Sequence, residues 1–186
     1  MQNRCFSWED ALKRLKEGND LYLTSAISKG DISLDRRISV FENGQKPYAV
    51  VISCSDSRVI PESIFSANIG DLFVIRTVGN VVDSTVLASM EYAVTHLNVP
   101  IVIVLGHTGC GVINAAINGN AKGLIAKSID KICAVIGDEK DDYMASRKNV
   151  CAGVKSVQEL LSNECPNCKV FGAMYFGDSG KVKFLE

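Results

Sequence analysis

The chain has 186 residues, of which 47% are hydrophobic, and its formal net charge is −1. This length and apolar content supply one α/β domain with a substantial core, so we expect a single domain over residues 1–186. Because 20 basic residues nearly balance 21 acidic residues, the charge gives no basis for binding nucleic acid or an anionic membrane. A small-molecule substrate is the better expectation.

Targeting signals and cysteine content bear on the compartment. Residues 1–16 lack an apolar segment followed by a small-residue cleavage site. The longest apolar runs, such as 101–105, are far shorter than the ~20 residues that a membrane-spanning helix needs. Seven cysteines are an odd number for a disulfide framework, so we expect thiols, metal ligands or core residues. The sequence thus predicts a cytoplasmic protein.

An amphipathic pattern lies near the start of the chain. Between residues 8 and 23, apolar side chains recur among charges, and Ser7 precedes them as a favourable N-cap. The pattern predicts an N-terminal helical arm over about residues 7–25. Such an arm could pack on its own domain or on a partner.

Short apolar runs rich in valine, isoleucine and aromatic residues predict buried parallel strands at 48–53, 72–77, 101–105 and 170–176. Residues 181–185 predict a short edge strand. Helical patterns between the runs cover 84–97, 124–136 and 144–162. This alternation indicates an α/β fold with an open, mostly parallel sheet of about four parallel strands plus the edge strand, flanked by helices.

Side chains that bind metals follow two of the predicted strands. Cys54 ends the first strand and His107 ends the third. In open α/β sheets, ligands bind beyond the carboxyl ends of strands, where successive connections run in opposite directions. If these two strands are neighbours, Cys54 and His107 converge at one crevice.

With Cys110, these side chains offer two thiolates and one imidazole. Zinc accepts this donor set, and a catalytic zinc commonly has three protein ligands and one open position. The chain contains only two histidines, His96 and His107, so a single chain cannot build a three-histidine site. His96 lies in a predicted helix and is expected to be a surface or capping residue.

The pattern Cys-Ser-Asp-Ser-Arg at 54–58, followed by His-Thr-Gly-Cys at 107–110, resembles the β-class carbonic anhydrases. Taken singly, a cysteine at a strand end is often a small buried hydrophobe, and Asp56 with Arg58 would be a surface ion pair. The two clusters together are specific. Further similarity lies at 45–47, 70–76, 79–80 and 91–94, so the resemblance covers about residues 9–178.

The resemblance implies a role for each matching position. Cys54, His107 and Cys110 match the ligands of one Zn²⁺ per chain, and Asp56 with Arg58 matches the catalytic dyad. The positions that match the substrate pocket are Gln45, Phe73, Val78 and Gly111. Family members are built on dimers with the pocket near the subunit boundary, so the resemblance also implies a homodimer or a higher homo-oligomer.

The implied reaction is the reversible hydration of carbon dioxide to bicarbonate and a proton, with zinc-bound hydroxide as the nucleophile. Two thiolates make the zinc formally neutral, so it should acidify water less than a zinc held by imidazoles does. A carboxylate at Asp56 can compensate by accepting a hydrogen bond from the nucleophile and directing it, while Arg58 holds that carboxylate. The same carboxylate could occupy the open position, and the sequence does not distinguish these two states.

Two other functions remain open. A related hydrolase could act on carbonyl sulfide or carbon disulfide at the same site, or the chain could be a catalytically silent zinc-binding regulatory protein closed by Asp56. A departure from some family members concerns an inhibitory bicarbonate site. Val51 stands where that site has a tryptophan, although Arg76 and Tyr175 could match its other residues.

A second cysteine pair, Cys165 and Cys168, forms a C-P-N-C motif. It precedes the last strand instead of opening a helix after an early strand, so a redox role is not favoured. A structural metal site would need two more ligands from Cys5, Cys133 or Cys151. We therefore expect free thiols or core packing at this pair.

Overall fold

The computed structural model describes residues 6–27, 29–119 and 122–185. The strands in this part of the chain are β1 (Ala49–Cys54), β2 (Leu72–Thr77), β3 (Ile101–His107), β4 (Lys169–Tyr175) and β5 (Val182–Phe184). They form one sheet in the order β2-β1-β3-β4-β5. All neighbouring pairs are parallel except β4 and β5, which are antiparallel. The predicted α/β fold with four parallel strands and an edge strand is confirmed.

The two central strands β1 and β3 are buried along their whole length. Parallel strands that are covered on both faces consist of nearly continuous apolar residues, which explains why the sequence predicted them within two residues. The chain runs from β1 outward to β2 and then crosses back past β1 to β3. The direction of the connections therefore reverses between β1 and β3, where open α/β sheets place their ligands.

The helices of the described chain are α1 (Trp8–Thr24), α2 (Leu34–Asn43), α3 (Pro61–Ile64), α4 (Ser84–His96), α5 (Gly111–Ile117), α6 (Ala126–Ile136) and α7 (Asp142–Glu164). The predicted arm corresponds to α1, and the other three predicted helices correspond to α4, α6 and α7. The sequence did not predict α2, α3 or α5. Among the described residues, no helix combines the length and apolarity needed to cross a membrane.

The N-terminal arm packs on its own domain. Leu15 is fully buried in a core cluster with residues of β1 and β3. The side chain of Asn19 donates hydrogen bonds to the carbonyl oxygens of Ile64 and Gly180, at 3.2 and 3.0 Å, and accepts one from the Val182 amide at 2.9 Å. This buried amide group therefore joins α1 to α3 and to β5.

Helices α5 and α6 cover the carboxyl ends of the central strands. Ile113 of α5 and Ile129 and Ile132 of α6 form an apolar cluster that also contains Cys54 and Cys110. The two cysteines are thus packed among apolar side chains at the carboxyl ends of the strands, where the topology indicates a ligand site.

Candidate metal centre

Three buried side chains meet beyond the carboxyl ends of β1 and β3. Cys54 is the last residue of β1, His107 is the last residue of β3, and Cys110 caps α5. Because β1 and β3 are paired neighbours, the first two side chains converge, and the turn after β3 brings Cys110 to them. Their ligand atoms all lie within 4.8 Å of one another, and each residue is at most 3% exposed.

The imidazole of His107 is oriented by its backbone. Its Nδ1 lies 3.0 Å from the carbonyl oxygen of Thr108, and because a carbonyl can only accept, Nδ1 carries the proton. The other nitrogen, Nε2, is buried and has no hydrogen-bond partner among the described residues. A buried lone pair without a partner is costly, and metal-binding histidines are commonly fixed in this way through their second nitrogen. The ring therefore fits a metal ligand.

The two thiols form a coupled pair. Their sulfur atoms lie 4.0 Å apart. The hydrogen bond with Cys110 lowers the pKa of Cys54, while the same hydrogen bond and burial raise the pKa of Cys110. The backbone amides of Asp56 and Gly79 also stabilise the Cys54 thiolate. Two such sulfurs and one imidazole nitrogen are a donor set that suits zinc, with one position left open in a tetrahedral site.

Asp56 and Arg58 form a bidentate ion pair beside these ligands. Arg58 donates from Nε to Oδ1 at 2.9 Å and from Nη2 to Oδ2 at 2.7 Å, and its backbone amide also donates to Oδ1 at 3.0 Å. These hydrogen bonds hold the pKa of Asp56 well below its usual range. The carboxylate is therefore ionised and bound to Arg58, and it does not belong to the described three-ligand cluster.

Val78 and Gly111, two of the predicted pocket residues, lie next to the cluster of Cys54, His107 and Cys110. Val78 begins a 3₁₀ turn, Val78–Asn80, directly after the strand position that pairs with Cys54. Gly111 is the first residue of α5, and the position where a Cβ would stand is open space. Both residues lie at the carboxyl ends of the parallel strands, where Cys54, His107 and Cys110 also lie.

Gln45 and Phe73, the other two predicted pocket residues, lie toward the opposite end of the strands. Phe73 pairs with Val50, four positions before Cys54, and its ring centroid lies 6.3 Å from that of Tyr92. Gln45 is exposed and precedes β1. Since strands rise about 3.3 Å per residue, neither side chain is brought to the cysteine and histidine cluster of its own chain.

The residues compared with the inhibitory bicarbonate site have other contacts. Val51 is fully buried in β1. Arg76 donates to the carbonyl oxygens of Cys54 and Asp56, at 3.1 and 2.8 Å, so it braces the backbone at these two residues. The Tyr175 hydroxyl lies 3.3 Å from that of Tyr22.

Sequence reasoning missed contacts that hold the site from other elements. Asp142 lies outside the predicted helices, yet it begins α7 and accepts a hydrogen bond from the Gly109 amide at 2.8 Å. Asn149 donates to the carbonyl oxygen of Gly79 at 2.8 Å. The only sequence signal was an acidic residue near a helix start, which does not specify a distant partner.

The remaining cysteines form no further metal cluster in the described residues. Cys165 and Cys168 are free and partly buried in a turn between α7 and β4, and burial raises the pKa of Cys168 to about 12. Cys133 and Cys151 are also free, and Cys5 lies outside the described residues. His96 ends α4, is exposed, and stacks on Tyr92.

Comparisons with known proteins agree with this geometry. A family model described as carbonic anhydrase matches residues 49–182. Carbonic anhydrase 2 of Mycobacterium tuberculosis is 51% identical over 107 residues, which cover 58% of this chain and 51% of the relative. The chain spans about half the length of the first curated relatives that it matches.

Solved structures show the same fold. A β-carbonic anhydrase of the fungal pathogen Aspergillus fumigatus has a TM-score of 0.72 and 28% identity, over 80% of each chain. One of two tetrameric β-carbonic anhydrases from Sordaria macrospora has a TM-score of 0.69 and 26% identity, over 82% of this chain and 87% of that one. Both similarities cover at least 80% of this chain.

Proposed function

Because the chain belongs to the β-class of the carbonic anhydrase family, we propose that it catalyses the reversible hydration of carbon dioxide to bicarbonate and a proton. The observation that carries the proposal is the buried Nε2 of His107, which has no hydrogen-bond partner in the described part of the chain and lies among two thiols, with an ionised Asp56–Arg58 pair beside them. Cys54, His107 and Cys110 would hold one zinc ion. When bound, zinc supplies the acidity that turns water into a nucleophile near neutral pH.

Asp56 orients the attacking water. Its Oδ1 already accepts two hydrogen bonds from Arg58, whereas Oδ2 accepts one, and a carboxylate oxygen has two lone pairs. Oδ2 therefore keeps a lone pair for a proton of the water, and this hydrogen bond directs the oxygen toward carbon dioxide. Arg58 holds the carboxylate by a planar, always charged fork.

The substrate pocket is proposed to be apolar and completed by a second copy of the chain. Val78 and Gly111 border the ligands of their own chain, and an apolar lining suits a substrate without charge. Gln45 and Phe73 lie at the far end of the strands, and their position supports a homodimer or higher homo-oligomer in which the partner supplies both. The tetrameric relative from Sordaria macrospora is consistent with such an assembly.

The deciding experiment is stopped-flow carbon dioxide hydration together with metal analysis of the same sample. We expect one zinc per chain and activity that disappears in Cys110→Ser, which removes one ligand. Circular dichroism should show that this variant keeps its secondary structure. A folded parent protein that contains no zinc would overturn the proposal.

Activity assays on the same protein preparation distinguish the alternative functions. Carbonyl sulfide and carbon disulfide should be hydrolysed far more slowly than carbon dioxide is hydrated, and the reverse order would favour the hydrolase. The silent regulatory protein would contain zinc and show no activity from acid to alkaline pH. The hydrogen bonds that hold Asp56 on Arg58 favour a zinc site whose fourth position is open, and this supports an active enzyme over the silent protein.

A cytoplasmic location also remains a proposal. All described cysteines are free, as expected for a protein in a reducing compartment. Cell fractionation with an antibody to the chain would test it, and recovery in an exported fraction would contradict it.

A further inference from the structure

A carboxylate at the start of α7 contacts the turn that carries two of the metal ligands. Asp142 Oδ2 accepts the hydrogen bond from the Gly109 amide at 2.8 Å. Its Oδ1 is buried and has no partner among the described residues. Burying a carboxylate oxygen without a hydrogen bond costs free energy. Contacts within α7 alone do not explain this cost, so we look to the contact between Asp142 and the turn at Gly109.

The peptide group between Thr108 and Gly109 carries this contact to His107. Its N–H donates to Asp142, and its carbonyl oxygen accepts from His107 Nδ1 at 3.0 Å. Hydrogen bonds in series polarise one another, so the carboxylate makes the Thr108 oxygen a better acceptor. Asp142 thereby helps to hold the imidazole with Nε2 facing the thiols.

The next peptide group carries the contact to the dyad. The carbonyl oxygen of Gly109 accepts from Arg58 Nη2 at 2.9 Å, and the same nitrogen donates to Asp56. Gly109 has a φ of 67°, a conformation that glycine adopts readily and can leave readily. Fixing its amide on Asp142 therefore also fixes the carbonyl that helps to place Arg58.

We propose that Asp142 is a positioning residue that sets His107 and Arg58 together, through the two peptide groups that flank Gly109. The inference rests on the proposed function, because His107 is taken as a zinc ligand and Arg58 as part of the dyad. Asp142 itself touches neither a ligand atom nor the substrate side of the dyad in the described contacts.

The test compares Asp142→Ala and Asp142→Asn with a matched control, Asp141→Ala. Asn keeps an oxygen that can accept from Gly109, whereas Ala does not. Asp141 caps the same helix by accepting from the Met144 amide at 2.8 Å, so its loss weakens the start of α7 without removing the Gly109 contact. Each zinc-loaded protein is measured for the rate of zinc loss to a chelator, for kcat/KM, and for its unfolding midpoint.

We expect Asp142→Ala to lose zinc about 10 to 100 times faster than the parent, with a similar fall in kcat/KM, as outer partners of metal ligands usually show. Asp142→Asn should stay within about threefold of the parent in both, since it preserves the acceptor. Asp141→Ala should lower the unfolding midpoint but keep the parent's zinc retention and kcat/KM.

The proposal is overturned if Asp142→Ala retains zinc and kcat/KM as Asp141→Ala does, or if Asp142→Asn loses as much as Asp142→Ala. If Asp142→Ala does not fold, Asp142→Ser serves in its place, because its hydroxyl is too short to reach Gly109. A parent that binds no zinc would overturn the proposed function together with this inference. Equal zinc loss in all variants would overturn this inference alone.

Discussion

At the scale of single residues, the contact between Arg58 and Asp56 controls the orientation of the Asp56 carboxylate and not whether it is ionised at neutral pH. Removing the guanidinium lets the pKa of Asp56 rise toward its ordinary value of about 3.9, which is still far below neutral pH. The carboxylate of Arg58→Ala therefore remains ionised but loses its orientation. We predict that hydration at neutral pH falls by about 100-fold or more, as a misplaced reacting group can cause, while zinc stays bound.

Stopped-flow kinetics and metal analysis check this prediction, and Arg58→Lys is the matched control. Lysine keeps the charge but not the planar fork, so it should restore little activity. Near-normal turnover in Arg58→Ala would contradict the role given to the dyad, and full rescue by lysine would show that charge alone is required.

At the scale of elements, Asn19 tests which interactions hold α1 on the rest of the domain. It is 4% exposed, and its side chain makes three hydrogen bonds to α3 and to the segment that forms β5. Asn19→Ala leaves two carbonyls and an amide without these partners, so we predict a loss of about 2–4 kcal/mol in the free energy of unfolding. Urea denaturation measures it.

Asp20→Ala is the matched control for this prediction. Asp20 is the next residue of α1 and is exposed, so its substitution should change the unfolding free energy by less than about 0.5 kcal/mol. An Asn19 variant as stable as the Asp20 variant would show that the arm is held by apolar packing alone.

How far the sequence predicts an element depends on whether its residues carry their own signal. The apolar runs of β1 and β3 predict their positions because both faces are buried. Helix α2 did carry a sequence signal, since Leu34, Ile38 and Phe41 recur at helical spacing, but all three are exposed in the structure. Helix α5 is short and follows a glycine-rich turn. The site divides in the same way, since a spaced motif predicted that Cys54, His107 and Cys110 lie together, whereas the partner of Gly109 lies 33 positions away and follows from how α7 packs.

At the scale of the whole molecule, the positions of Gln45 and Cys110 predict complementation between two defective variants. If the partner supplies Gln45, a mixed dimer of Gln45→Ala and Cys110→Ser contains one complete site, with zinc from the first chain and glutamine from the second. Co-expression in equal amounts should therefore restore about a quarter of the parent activity, given random pairing into two-fold dimers.

Each variant expressed alone is the control, and hydration assays with size-exclusion chromatography measure the outcome. Cys110→Ser alone should be inactive, and Gln45→Ala alone should be impaired. If Gln45 served its own chain, every site in the mixed dimer would be defective, and activity no higher than the average of the two variants would contradict the shared pocket.

The hydrogen bonds of Asn19 also bear on the order in which the chain folds. They join positions separated by 161 and 163 residues, so α1 gains these partners only after β5 has been synthesised. Until then the apolar face of α1 is without its full docking surface, a state in which nascent chains associate wrongly. Attachment of the arm is thus a late step in the folding of this domain, and the chain must be translated through Val182 before it can occur.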